Sequence, residues 1–189
     1  MDAVAHHVSR VVRRWVLVFC NSELIGGWIG ALTRWGLEHV RVAAWVKEGC
    51  TPQFSGDRPA SAFESIVIAH PRGRKRWNAG GKRGLYMHAV ENQNRGTGRR
   101  VMPIVATPKP IPLMIELVSD FTDPNDLVID PFAGGASTGV ACIRRGRRFS
   151  GCELRPAVAA RANERLRAEL SDSTLAAREA GQLTLMGGR

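Results

Sequence analysis

No stretch of this chain approaches the ~20 uninterrupted apolar residues that a membrane-spanning helix needs, and no signal peptide is evident. Cysteine is scarce and scattered. Cys20, Cys50, Cys142 and Cys152 form no C-x-x-C pair, which argues against a zinc site or a disulfide framework. No metal is expected, and the spacing suits a reduced, cytoplasmic setting. Cys20, Cys142 and Cys152 fall in or beside apolar runs and read as small core residues. Internal repeats are lacking too. Acid is in deficit, with 17 Asp and Glu against 27 Lys and Arg, giving a net charge of +10 and a pI near 10.7. That balance suits a partner made of phosphates, although it implies attraction rather than sequence specificity.

What is present fits one α/β domain. The chain has 189 residues, 44% of them hydrophobic, enough for a buried core. Val4, Val8, Val11 and Val12 recur at roughly helical spacing over Met1 to Arg14. Trp15 to Phe19 reads as a buried strand, and Ser22 as a cap for a helix ending near Gly36. Val40–Val46 and Ser65–Ala69 read as further strands, separated by a Gly- and Pro-rich loop over residues 49–59. A long connection, 71–112, leads to a helix over Leu113–Phe121. Two more strands come next, at Leu127–Ile129 and Arg148–Cys152, with a helix between them and another from Pro156 to about Leu170. This alternation predicts a mostly parallel sheet, a domain over 1–170 and a flexible tail over 171–189.

Charge clusters inside the connection. Arg72, Arg74, Lys75, Arg76, Lys82 and Arg83 surround Trp77 in a Gly-rich stretch, and Arg95, Arg99 and Arg100 come after it with two more glycines. Loops on a rigid scaffold often carry recognition, so the stretch is a candidate DNA contact. The alternative is a solvated basic loop with no dedicated ligand. Trp77 either stacks on a base or anchors the loop.

Asp130 to Thr138 carries the most information. Leu127-Val128-Ile129 leads into Asp130-Pro131-Phe132, then Ala133-Gly134-Gly135-Ala136, then Ser137-Thr138 and a helix-like segment. In open α/β sheets ligands bind beyond the strand ends, and a helix N-terminus offers unpaired N–H groups to an anion. An Asp at the same mouth suits a ligand that also bears a cation. Glu153 ends the next strand about 20 positions on, where such folds bond a ribose hydroxyl. Neither G-x-G-x-x-G nor Gly-Lys-Ser/Thr is spelled here. An amino-acid moiety at one strand and a ribose at the next describe S-adenosylmethionine. A plain strand–turn–helix with glycines for packing is the competing reading.

Val128 to Gly139 resembles the cofactor motif of DNA amino-methyltransferases, the N6-adenine and N4-cytosine enzymes. Within them it is most similar to the permuted β class and its small phage-type members, over about Trp15 to Leu170. The resemblance implies a Rossmann-like methyltransferase sheet with helices on both faces, and S-adenosylmethionine held by Asp130, Pro131, Phe132, Gly134, Ser137, Thr138 and Glu153. Thr107-Pro108-Lys109-Pro110 before Leu113–Val118 is similar to that class's Thr-x-Lys-Pro segment, which implies that Thr107, Lys109 and Pro110 complete the pocket. Val105-Ala106 stand where the family has His-Pro. Trp45 and Lys47 are implied near a flipped-base pocket, with Trp45 as ordinary core the equal alternative.

One motif is missing. These enzymes use [Asp/Asn/Ser]-Pro-Pro-[Tyr/Phe/Trp] to localise the amine's lone pair and stack the flipped base. The chain contains no Pro-Pro pair, so no catalytic residue is assigned; Asp2, His6, His7 and Asn21 offer no comparable arrangement. In the β class the motif precedes the strand that Trp15–Phe19 resembles. The expectation is therefore an N-terminally shortened chain that lacks a central strand, binds cofactor poorly and transfers no methyl group alone. Gln182-Leu183-Thr184-Leu185-Met186 resembles the peptide by which replication proteins dock on a sliding clamp; a frayed end is the alternative. Three functions compete: methyl transfer to adenine or cytosine in DNA, a DNA-binding remnant without turnover, and an RNA or protein methyltransferase.

Overall fold

The computed structural model describes residues 1–50, 53–90 and 108–179, with main chain alone over 173–179. The chain divides into two compact units, Met1–Val90 and Glu91–Arg189. Thr107, the arginines at 95, 99 and 100, and the Gln182–Met186 peptide lie outside the described residues.

The first unit contains α1 (Asp2–Val11), β1 (Val16–Cys20), α2 (Ile25–Arg34), β2 (Leu37–Glu48), β3 (Phe63–Pro71) and β4 (Leu85–Ala89). Its sheet runs β1-β3-β2-β4. β3 pairs antiparallel with both neighbours, and β4 pairs parallel with β2. The expected mostly parallel arrangement is thus corrected for this unit. No helix is described between β2 and β3, and a strand returning without a crossover helix runs antiparallel. Ile66, Val67, Ile68 and Ala69 are buried without alternation, as a strand covered on both faces requires.

Ala5, Ala31 and Leu32 from the two helices close a core over Val16, Cys20, Leu37, Val67 and Ala69. A fully buried aliphatic side chain such as Leu32 contributes about 1.5–3 kcal/mol. Two local expectations fail here. Val11 lies on the outer face of α1, 55% exposed, and Ala5 takes the central inward position. Ser22 caps nothing with its side chain; it opens a short 3₁₀ turn, Ser22–Leu24, that runs into α2. β4 also lies inside the segment expected as a continuous loop.

The second unit contains α3 (Ile111–Phe121), β5 (Leu127–Asp130), α4 (Ser137–Arg144), β6 (Arg148–Gly151) and α5 (Pro156–Glu179). β5 and β6 pair in parallel from Leu127↔Arg148 to Asp130↔Gly151, with α4 as the crossover. α4 packs against α3, α5 and β6. A Cβ built on Gly139 would stand 2.8 Å from the Phe149 ring and 2.7 Å from Leu166, so glycine is what lets α4 lie this close. α5 continues to Glu179, well past the Leu170 at which the tail was expected to begin. Cys142 is buried in α4, and burial pushes its thiol pKa up to about 12, in keeping with a core filler. Cys152 is exposed, against expectation, because it lies just past the end of β6. Alternating strands and helices make the fold α/β, and no helix among the described residues is long and apolar enough to cross a membrane.

Candidate functional site

The tips of β5 and β6 build the site. Asp130 ends β5, and both its carboxylate oxygens have donors: Phe132 N–H to Oδ1 at 3.0 Å and the Thr138 hydroxyl to Oδ2 at 2.6 Å. The main chain then ties the tips together. Cys152 N–H donates to Asp130 O at 3.0 Å, and Ala133 N–H to Cys152 O at 2.8 Å.

The glycine turn comes next. Ala136 N–H donates to Ala133 O at 2.7 Å, with Gly134 at φ 51° and Ala136 at φ 59°. Both are left-handed; Gly134 adopts this region at little cost, whereas an alanine is strained there. Ala136 is the N-cap of α4, and the first helical bond runs from Val140 N–H to Ala136 O at 3.0 Å. The first-turn N–H groups of α4 consequently face the mouth of the turn without partners from the helix itself.

Glu153 stands at the β6 tip. Its carboxylate accepts from the Arg155 main-chain N–H at 3.0 Å, from the Arg155 side chain, and from the Gly134 N–H. These bonds, that of the Arg155 N–H foremost, hold its carboxyl below the usual carboxylate range. The acid therefore stays ionised and braces the glycine turn. Beside these acids two apolar side chains are left largely in solvent, Phe132 at 69% and Leu154 at 95% exposure. Leu154 is absent from the sequence-derived set; its signal is a large aliphatic residue placed directly after the strand-end acid. From α5, Arg165 Nη1 donates to the carbonyl of Gly135 at 2.9 Å. Lys109 and Pro110 lie at the start of α3, in the same unit, with Pro110 as its N-cap.

The basic stretch belongs to the first unit, directly after β3. Arg72, Arg74, Lys75, Arg76 and Arg83 are exposed and Lys82 is half-buried. Lys75 forms an ion pair with Glu38 at 2.6 Å, and Lys82 lies 4.6 Å from the Tyr86 ring centroid. The stretch is pinned through its main chain. Trp15 Nε1 donates to Arg76 O at 2.6 Å, and Arg14 adds a bond to the same carbonyl at 3.3 Å. Trp77 Nε1 donates to Gly80 O at 2.7 Å, so this indole anchors the loop. Trp45 is 3% exposed and donates to His88 O at 2.9 Å, a core role spanning β2 and β4. Lys47 lies 5.3 Å from the Trp45 ring and 3.8 Å from Glu64.

Known proteins are similar to this chain in fold and in sequence. The crystal structure of M1.HpyAVI in complex with SAM superposes with a TM-score of 0.72 at 25% identity, covering 86% of this chain and 79% of that one. Type II methyltransferase M1.MboII of Moraxella bovis is 32% identical over 108 residues, which is 54% of this chain and 40% of the relative. Type II methyltransferase M.HinfI of Haemophilus influenzae is 28% identical over 167 residues, 81% of this chain and 45% of the relative. The chain thus spans less than half the length of these two curated relatives. Residues 13–164 match the family model of the DNA methylases, N6_N4_Mtase. With the acid-tipped strand, the glycine turn and the second acid in place, the chain belongs to the DNA methylase family.

Proposed function

We propose that this protein acts as a site-specific DNA methyltransferase, moving a methyl group from S-adenosylmethionine to an exocyclic amine, adenine N6 in preference to cytosine N4. The observation that carries the reading is the Asp130 carboxylate, fixed by Thr138 and Phe132 at the mouth of α4. An anion and a helix N-terminus side by side suit a zwitterionic amino-acid group better than a phosphate, which the acid would repel.

The donor set fits the cofactor. Asp130 would receive its ammonium, the first-turn N–H groups at Ser137 and Thr138 its carboxylate, and Glu153 the ribose hydroxyls. Phe132 offers an exposed apolar ring at the same mouth, and Thr107, Lys109 and Pro110 would complete the pocket. When bound, S-adenosylmethionine supplies a methyl group activated by its sulfonium. The exposed arginines at 72, 74, 76 and 83, with Lys75, Lys82 and the anchoring Trp77, would engage the phosphate backbone.

Titration calorimetry with S-adenosylmethionine, paired with tritiated methyl transfer to unmethylated duplex DNA, tests this. One cofactor site that disappears in Asp130→Ala supports the reading, and label recovered in N6-methyladenine fixes the base. Wild-type protein that ignores the cofactor overturns it. A second reading, a DNA-binding chain without turnover, is favoured by the lack of any Pro-Pro pair in the sequence. Binding of both ligands without transfer would select it, and label transferred to RNA alone would select an RNA methyltransferase.

A further inference from the structure

We infer that Arg165 is a positioning residue for the glycine turn, setting the peptide plane that leads into α4; this rests on the reading that the turn holds S-adenosylmethionine. Arg165 lies half-buried on α5, thirty residues from its partner in sequence, and its Nη1 donates to Gly135 O at 2.9 Å. That carbonyl and the Ala136 N–H belong to one peptide group. The N–H end is held by Ala133 O at 2.7 Å and the carbonyl end by Arg165, so the plane is fixed at both ends.

The plane matters because it sets the conformation of Ala136. That residue is left-handed at φ 59°, a conformation that an alanine keeps only where its surroundings impose it. Rotation of the Gly135–Ala136 peptide would change ψ of Gly135 and φ of Ala136 together. Ala136 would relax, its N–H would lose Ala133 O, and the entry into α4 would lose its fixed geometry. A bond from a guanidinium is charge-assisted, the stronger kind, and half-burial lessens its competition with water.

Docking of the helices does not need this bond. Arg144 on α4 already grips Glu169 on α5 with two hydrogen bonds, at 2.6 and 3.0 Å. Glu169 lies one helical turn beyond Arg165 and holds α5 in place while Arg165 reaches the turn. The division of labour is testable: Arg144 joins helix to helix, and Arg165 joins helix to ligand loop.

The experiment uses the full chain as Arg165→Ala, Arg165→Met and Arg165→Lys, with Arg144→Ala as control. The readouts are amide hydrogen exchange without cofactor, thermal unfolding, and calorimetry with S-adenosylmethionine. Arg165→Met keeps the aliphatic stem, so it carries the test if the alanine variant unfolds. The expected result is faster exchange at Ala136, whose N–H is held by Ala133 O, with Ala141 and Cys142 unchanged. Cofactor affinity should fall about tenfold or more, and Arg165→Lys should recover part of it. Arg144→Ala should lower the melting temperature and leave exchange in the turn as it was. Unaltered exchange at Ala136 in both Arg165→Ala and Arg165→Met would overturn the inference. Wild-type protein that binds no cofactor would remove the reading of the site, while the exchange measurement still decides the role of Arg165.

Discussion

The Thr138 hydroxyl reaches from the first turn of α4 to Oδ2 of Asp130, 2.6 Å away, and locks the strand tip to the helix it feeds. With Phe132 N–H on the other oxygen, the carboxylate has a single orientation before any ligand arrives. Thr138→Val preserves shape and removes the donor. We expect about 1 kcal/mol of stability to be lost in urea unfolding, the usual net worth of one such bond. Cofactor affinity should fall several-fold with it, by about 1 kcal/mol of orientation. Calorimetry that finds the affinity unchanged would show that Asp130 is oriented without Thr138.

Two residues at the start of α4, its N-cap Ala136 and the helical Gly139, should respond against ordinary helix rules. Gly139→Ala, which in an open helix gains about 1 kcal/mol, should here cost about 1–3 kcal/mol, because the new methyl meets Phe149 and Leu166 inside contact distance. Ala136→Gly should be within about 0.5 kcal/mol of neutral. Relief of the left-handed alanine, about 1–2 kcal/mol, offsets a buried methyl worth about 0.8 and glycine entropy of about 0.5–1. Ala141→Gly, equally buried but regular in α4, is the control and should cost about 2 kcal/mol. Equilibrium unfolding of the three variants gives the comparison.

Trp15→Phe should loosen DNA binding without changing its electrostatic character. The substitution deletes the N–H that holds Arg76 O but retains an aromatic ring beside His70, whose centroid is 4.6 Å from that of Trp15. Affinity for duplex DNA should fall, while the slope of log K against log salt stays as in the wild type. Arg72→Ala should instead reduce that slope by about 0.9, the value for one phosphate contact. Equal slopes for wild type and the Arg72, Arg74 and Arg83 variants would remove this stretch from the DNA interface.

Acid should destabilise the second unit. Glu169, bonded by Arg144, and Glu153, bonded by the Arg155 main chain, both have pKa values lowered below the ordinary carboxylate value. A group with a depressed folded pKa contributes fully above its unfolded pKa, and the contribution is lost as pH falls through the folded value. Unfolding midpoints should therefore be flat from neutral pH to about 5 and fall below about 4.3. Glu169→Gln should start lower and decline less steeply, which a pH series of thermal melts would show.

The strands of the buried core were legible because Trp15–Phe19, Val40–Val46 and Ser65–Ala69 are apolar runs bounded by turns, and each contains or overlaps an observed strand. β4 escaped because Leu85-Tyr86-Met87-His88-Ala89 points its tyrosine inward, 1% exposed, and its leucine and methionine out. Judged by hydropathy, such a strand looks like more loop. The direction of β3 was illegible for a different reason: composition records burial, and only the connection records orientation. At the candidate site, the nearness of Asp130 to Thr138 and the place of Glu153 after β6 were readable, because one contiguous motif and the next strand tip contain them. Arg165 was not, since an arginine four residues before a glutamate on a helix looks like an ordinary surface pair.

The pinning of residues 72–84 separates the path of this loop from most of the side chains it displays. Its path is held by indole N–H groups and backbone carbonyls, Trp15 to Arg76 and Trp77 to Gly80, with Lys75 paired to Glu38 as well. A carbonyl is the same whatever side chain its residue bears. Positions such as 72, 74 and 83 can therefore be exchanged while the scaffold that presents them keeps its course. The loop is a fixed shelf with interchangeable contents; on the proposed function, exchanges there would tune affinity for DNA without refolding the protein.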